Sequence, residues 1–179
     1  KQGITKYRRD IGKQEAQISL DEQETDFETG YRNAEVELTN ERLLHNIRRV
    51  PTANNITNST ALEEGLGVVS LDVEMETGTG KTYVYIKTMF ELYQTYGWSK
   101  FIVVVPSIAI REGVKKSFET TQEHFMELYG IKARFFVYNS SNLHQLDEYS
   151  QNSGINVMII NTQAFNTTMN EEKNLIKKN

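Results

Sequence analysis

The chain has 179 residues, with 20 Lys and Arg against 24 Asp and Glu and a formal net charge of −4. That length suits one compact domain able to bury roughly 70% of its unfolded surface, and the eight Phe and nine Tyr are enough to build a core, which excludes disorder of the whole chain. The lack of cysteine excludes a disulfide framework, a thiolate metal site and a thiol nucleophile, while mild acidity excludes a wholly basic nucleic-acid coat but leaves room for a local basic site.

The first forty residues are polar and read either as an extended antiparallel appendage or as a tail that wraps on another domain. Lys1–Asp10 has no apolar h-region, so no signal peptide is expected. Leu43, Leu44, Ile47 and Val50 fall at helical spacing, and Pro51 is expected to stop that helix, at about residues 40–50. Thr52–Thr60 is rich in Asn and Thr and reads as a loop. Residues 1–64, with nine basic against twelve acidic residues, form an N-terminal extension in this reading.

From about residue 65 the period alternates. Val68–Glu76 is a β-rich run that ends in glycines. Lys81–Tyr96 carries Ile86, Met89, Phe90 and Tyr93 on one helical face. Phe101–Pro106 is a continuous apolar run, as expected of a strand buried on both faces. It is also the longest such run, far short of the roughly 20 residues of a membrane-spanning helix. Ile108–Tyr129 repeats the helical period through Val114, Phe118, Phe125 and Leu128. Arg134–Tyr138 is a further strand, Asn142–Tyr149 a short helix, Asn156–Ile160 a last buried strand and Glu171–Lys178 a last helix. Strands alternating with helices imply an α/β fold with a mainly parallel sheet.

The sharpest motif is Met75-Glu76-Thr77-Gly78-Thr79-Gly80-Lys81-Thr82, between an expected strand and an expected helix. Gly78 and Gly80 permit torsions and close approach that a Cβ would block. N–H groups at the start of the following helix make an anion-binding nest. Lys81 can reach the β- and γ-phosphates of a nucleotide, and the Thr82 hydroxyl can coordinate Mg²⁺. Nucleoside triphosphate binding is therefore expected. Met75 stands where the general phosphate-loop spacing has its first Gly. At the end of the Phe101–Pro106 strand, Ser107 can cap the next helix or offer its hydroxyl to a DNA phosphate, with Arg111 and then Lys115 and Lys116 following. His45, His124 and His144 lie far apart without ligand spacing, and the aromatic residues are periodic with element faces, so both groups read as structural or surface residues.

Gly-Thr-Gly-Lys-Thr without the first Gly resembles motif I of superfamily 2 helicases and translocases. The longer string Glu74–Thr82 is similar to motif I of the restriction (Res) subunit of type III restriction-modification enzymes. Ile102–Gly113 resembles motif Ia of that family, and Asn156–Phe165 resembles the strand and loop before its Asp-Glu box. The resemblance spans about residues 40–166 and implies a partial RecA-like P-loop domain over 65–179. It implies ATP and Mg²⁺ as cofactors, with Glu76, Thr77, Gly78, Thr79, Gly80, Lys81 and Thr82 at the nucleotide, Lys81 catalytic and Thr82 holding the Mg²⁺. Pro106, Ser107, Arg111, Thr162 and Gln163 become candidate DNA contacts. Double-stranded DNA and a modification (Mod) methyltransferase subunit are the implied partners, in the cytoplasm.

Neither Asp-Glu pair fits the acidic box of hydrolysis. Asp21-Glu22 precedes the phosphate loop, and Asp147-Glu148 follows His-Gln-Leu rather than an apolar strand. The expectation is a first part of a larger motor that binds nucleotide weakly and hydrolyses little alone. Other readings are another superfamily 2 helicase or type I restriction motor, a P-loop phosphotransferase, or a non-catalytic nucleotide-binding module.

Overall fold

A computed structural model describes residues 4–10, 27–58, 60–62, 70–141 and 144–164. The described chain divides into two compact units, Lys1–Ala34 with Gly80–Asn179, and Glu35–Thr79.

The first unit opens with β1 (Ile4–Asp10) and β2 (Phe27–Asn33). They pair antiparallel from Ile4 opposite Asn33 to Asp10 opposite Phe27, so this part of the opening segment is the extended antiparallel form. After α1 (Asn40–Ala53), which belongs to the second unit, there follow α2 (Lys81–Tyr96), β3 (Lys100–Val105), α3 (Ile108–Tyr129), β4 (Arg134–Val137), α4 (His144–Gln151) and β5 (Asn156–Asn161). Strands β3, β5 and β4 form a parallel sheet in that order, with β5 central. Lys100 and Arg134 both face Asn156, and Val105 faces Asn161. The parallel α/β expectation therefore holds among the described residues.

The core lies where α2 and α3 meet one face of this sheet. Ile86, Met89 and Phe90 from α2 and Val114, Phe118 and Phe125 from α3 close on Val105, Val157 and Ile159. Leu128 is the exception to the expected stripe. It is 56% exposed, and Tyr129 packs on the core instead. The reason is helical arithmetic: Val114, Phe118, Phe125 and Tyr129 keep a spacing near 3.6, whereas Leu128 falls a residue short and drifts off the face.

The central strand is buried on both faces, as a parallel strand covered by crossovers should be. Strand β3 is not, contrary to the expectation for Phe101–Pro106. Its alternate residues Ile102 and Val104 are 50% and 44% exposed, while Phe101 and Val103 pack on the core. Being on the edge of the described sheet, β3 is covered by α2 and α3 on one side only. On the other side α4 sets Tyr149 edge-on against Phe136 of β4, with ring centroids 6.0 Å apart.

One polar clamp ties the hairpin to the sheet. The Asn33 side chain accepts from the N–H groups of Ser99 and Lys100, both at 2.9 Å, and donates to the Lys100 carbonyl at 2.7 Å. The Lys100 ammonium donates in turn to the carbonyls of Tyr149 and Asn152 and lies 5.2 Å from the centre of the Tyr149 ring. It thus satisfies carbonyls that the C-terminal end of α4 leaves without helical partners. Burial pulls the Lys100 pKa down from 10.5 to about 8. Between pH 8 and 10.5 the unfolded chain then holds a proton that the folded chain sheds, so this group makes stability rise with pH over that window. Urea titrations of the wild type and Lys100→Met at pH 7.5 and 9.5 should show the wild type gaining on the variant at the higher pH. Staying below pH 10 avoids Tyr149, whose phenol burial pushes up to about 12. A constant difference between the two proteins would contradict the buried, charge-penalised amine.

The second unit holds α1 (Asn40–Ala53). Thr39 caps it, its hydroxyl accepting from the Arg42 N–H at 3.4 Å, and Leu43 is its buried residue. The helix runs past the expected stop, with Pro51 inside its last turn. A proline there removes one helical N–H, but its own carbonyl still accepts from the Asn54 and Ile56 N–H groups at 3.1 and 2.9 Å. The Val68–Glu76 strand is not seen: residues 70–76 have no regular structure, and Val73 is 74% exposed. A β-prone run becomes a strand only beside a partner ladder, and no described strand pairs with 70–76. Residues 68–69, and the helix expected over Glu171–Lys178, lie outside the described residues.

Candidate functional site

The expected phosphate loop crosses the division of the chain, with Glu76–Thr79 ending the second unit and Gly80 starting the first. Glu76–Thr79 is a turn. Both the N–H and the hydroxyl of Thr79 bond the Glu76 carbonyl, at 3.4 and 2.6 Å. Gly78 follows at φ +83° and Gly80 at φ +90°, torsions that L side chains rarely adopt. A Cβ at either glycine would meet nothing within 4 Å among the described residues.

Gly80 is also the N-cap of α2, and no side chain caps that end. The contrast with the other long helices is direct: Thr39 caps α1, and Ser107 caps α3 by accepting from the Ile110 N–H at 3.3 Å. The start of α2 keeps the positive end of the helix dipole, with no side-chain cap from Gly80. Lys81 and Thr82 are the first two residues of that helix, Lys81 exposed and Thr82 half-buried. A loop with two left-handed glycines, an uncapped helix start, a lysine and a hydroxyl has the chemistry that a nucleotide phosphate with Mg²⁺ requires.

Below this end, Tyr83 and Phe125 stack at 5.2 Å, and the Tyr83 hydroxyl is 2.9 Å from His124 Nε2. His124 therefore serves α2–α3 packing. His144 sits 3.5 Å from Glu148 on the exposed face of α4, where Asp147 is exposed too. The Asp147-Glu148 pair thus lies on a solvated helix, and Asp21-Glu22 lies outside the described residues. Tyr85 has no role in the sequence reading. Its ring packs on the core while its hydroxyl is sealed from solvent without a hydrogen-bond partner among the described residues.

The second group of expected residues gathers at the carboxyl end of the parallel sheet. Because Val105 pairs with Asn161, the next residues of both strands, Pro106 with Ser107 and Thr162 with Gln163, leave the sheet side by side. That is the edge at which open α/β sheets place their ligands. Ser107 is committed to its cap, and Arg111, one turn into α3, holds Glu112 at 3.1 Å. The sheet register brings together four of the five proposed DNA-contact residues, and Arg111 points its charge at a neighbouring carboxylate.

A family model described as "Type III restriction enzyme, res subunit" matches residues 51–179. The chain is 37% identical over 110 residues to the Res subunit of the type III restriction-modification enzyme EcoP15I of Escherichia coli, covering 60% of this chain and 11% of that protein. It is 33% identical over 155 residues to the EcoPI Res subunit of Escherichia phage P1, covering 80% of this chain and 16% of that one. It is also 37% identical over 132 residues to the StyLTI Res subunit of Salmonella typhimurium, covering 64% of this chain and 13% of the relative. The chain thus spans between 11% and 16% of the length of these relatives.

Proposed function

Because the chain belongs to the type III restriction enzyme Res subunit family, we propose that it forms the nucleotide-binding start of the DNA-translocating motor of such an enzyme. Residues 65–179 are then the first part of a RecA-like motor domain, and 1–64 its N-terminal extension. The observation that carries this reading is the pair of left-handed glycines, Gly78 and Gly80, leading into an uncapped helix that starts with Lys81 and Thr82.

In this reading the N–H groups from Gly78 to Thr82 cradle the phosphates, with Glu76, Thr77 and Thr79 shaping the turn. Lys81 neutralises charge on the β- and γ-phosphates, and the Thr82 hydroxyl holds Mg²⁺. Bound Mg²⁺–ATP supplies the phosphoanhydride whose hydrolysis drives movement. Pro106, Ser107, Thr162 and Gln163 meet the DNA backbone at the end of the sheet. Arg111 joins them by exchanging Glu112, the more exposed member of that pair, for a phosphate. Contacts to backbone hold register without reading sequence, which suits a translocating motor.

The full-length protein is then an ATP-dependent endonuclease subunit that acts on double-stranded DNA in the cytoplasm, with a Mod methyltransferase subunit supplying site recognition. The family match favours this over another superfamily 2 helicase or a type I motor.

The 179-residue chain should bind a fluorescent ATP analogue weakly, with unlabelled ATP displacing it, and should show no sustained hydrolysis. A titration of the chain followed by a phosphate-release assay tests both points. Failure of ATP to compete would remove the nucleotide site, and sustained turnover would show that the chain carries its own catalytic acid.

A further inference from the structure

The nucleotide site proposed above has a second layer, and the inference rests on that reading. Tyr85 lies one helical turn after Thr82 on α2, at the i, i+3 spacing that stacks side chains on one face. The ring is half-buried against the core, and the phenolic oxygen is removed from solvent. It makes no hydrogen bond of sound geometry within the described structure. Burying a hydroxyl that way carries a cost that a phenylalanine of the same shape would avoid. The i, i+3 spacing on α2 sets the Thr82 side chain on the same helical face, one turn from this phenol. The two residues share a face, and the phenol has no hydrogen-bond partner there among the described residues.

Coordination supplies the missing alignment. A threonine hydroxyl that gives a lone pair to a divalent cation still carries its proton, and that proton must point away from the metal to an acceptor. The sealed Tyr85 oxygen has free lone pairs and no competing donor among the described residues.

We propose that Tyr85 is a positioning residue for Mg²⁺, its phenolic oxygen accepting the Thr82 proton and so holding the threonine lone pair toward the metal. Tyr85 touches neither nucleotide nor metal; it acts through Thr82. The unmet phenol belongs to the metal-free state and is satisfied when Thr82 turns.

The test uses the 179-residue chain and the variant Tyr85→Phe, which deletes one oxygen and keeps the ring. A fluorescent, non-hydrolysable ATP analogue is titrated in EDTA and again with Mg²⁺. With the wild type, Mg²⁺ should tighten binding. With Tyr85→Phe, affinity in EDTA should be unchanged, while the tightening by Mg²⁺ should shrink by about fivefold, the worth of one modest hydrogen bond. The thermal midpoint of Tyr85→Phe should equal or exceed that of the wild type, since an unmet buried hydroxyl has been removed. A merely structural tyrosine would lower that midpoint or weaken both titrations alike, and either result overturns the inference. If the variant keeps the full gain from Mg²⁺, the inference fails while the site reading stands. If the wild type binds no nucleotide at all, the site reading fails and the inference falls with it.

Discussion

Lys81→Ala in a full-length Res subunit carrying this segment is expected to reduce DNA-stimulated ATP turnover by at least about 10²-fold, the range seen when one preorganised charge-stabilising group is lost. DNA binding by the assembled enzyme should survive. Lys81 is the first residue of α2, directly after a glycine at φ +90° that sets the direction in which the helix leaves the loop. Its backbone N–H survives the substitution, so the variant should still bind nucleotide, with affinity lowered rather than lost. The charge that follows the transferring phosphoryl group is what disappears. Lys81→Arg is the informative companion: it keeps the charge but is bulkier and forked, and it should rescue binding better than turnover. Steady-state ATPase assays with and without DNA, beside an equilibrium nucleotide titration, check all three points. Full turnover in Lys81→Ala would mean that another segment of the enzyme holds the γ-phosphate.

Local features of the molecule were legible in the sequence, and non-local ones were not. The proposed phosphate loop depends on residues adjacent in the chain, so Gly78, Gly80, Lys81 and Thr82 could be named from their order alone; the structure gives the two glycines positive φ. Helices α2 and α3 were readable because a 3.6-residue period over four turns or more leaves little ambiguity. What the period could not say was how many sides of a strand would be covered. The apolar string Phe101–Val105 looks the same at the edge and at the centre of a sheet, yet Ile102 and Val104 are exposed while every residue of β5 but the half-buried Met158 is buried. Residues 70–76 show the same limit, because a strand needs a partner that its own sequence does not name. The Asn33 clamp was invisible for a related reason. It joins positions 66 and 67 residues apart, and an Asn in a polar segment carries no mark of its partner. The meeting of Pro106 and Ser107 with Thr162 and Gln163 likewise depends on the register of β3 against β5, which only the fold supplies.

The largest stability effect is expected at Phe125. Its side chain is 1% exposed and sits at the centre of an aromatic cluster. Phe90 stacks on it at 4.9 Å, Tyr83 at 5.2 Å and His124 edge-on at 5.3 Å, with Tyr129 at 6.2 Å. A void of about 10 Å³ beside it, lined by Ile86, Phe90, Phe118 and Phe135, is no larger than one water and apolar. A core packed that closely cannot collapse into the space left by a deleted ring, so Phe125→Ala should cost about 3–5 kcal/mol. Against the roughly 5–15 kcal/mol of a whole domain, that is enough to leave the variant marginal. Phe125→Leu, which refills much of the volume but loses the stacking, should cost clearly less. Leu128→Ala, three residues on and facing solvent, should stay within about 0.5 kcal/mol of the wild type. Urea denaturation of the three variants measures the series, and equal costs at 125 and 128 would contradict the helical face assigned to α3. The effect should also reach the nucleotide end. Tyr83, one residue beyond Thr82, rests on the Phe125 ring, so a folded fraction of Phe125→Ala should bind the ATP analogue more weakly than the wild type even where its fold persists. Phe125→Leu, which keeps the fold at lower temperature, separates that loss of support from unfolding: reduced affinity in a fully folded Phe125→Leu would tie nucleotide binding to the packing of α3 on α2.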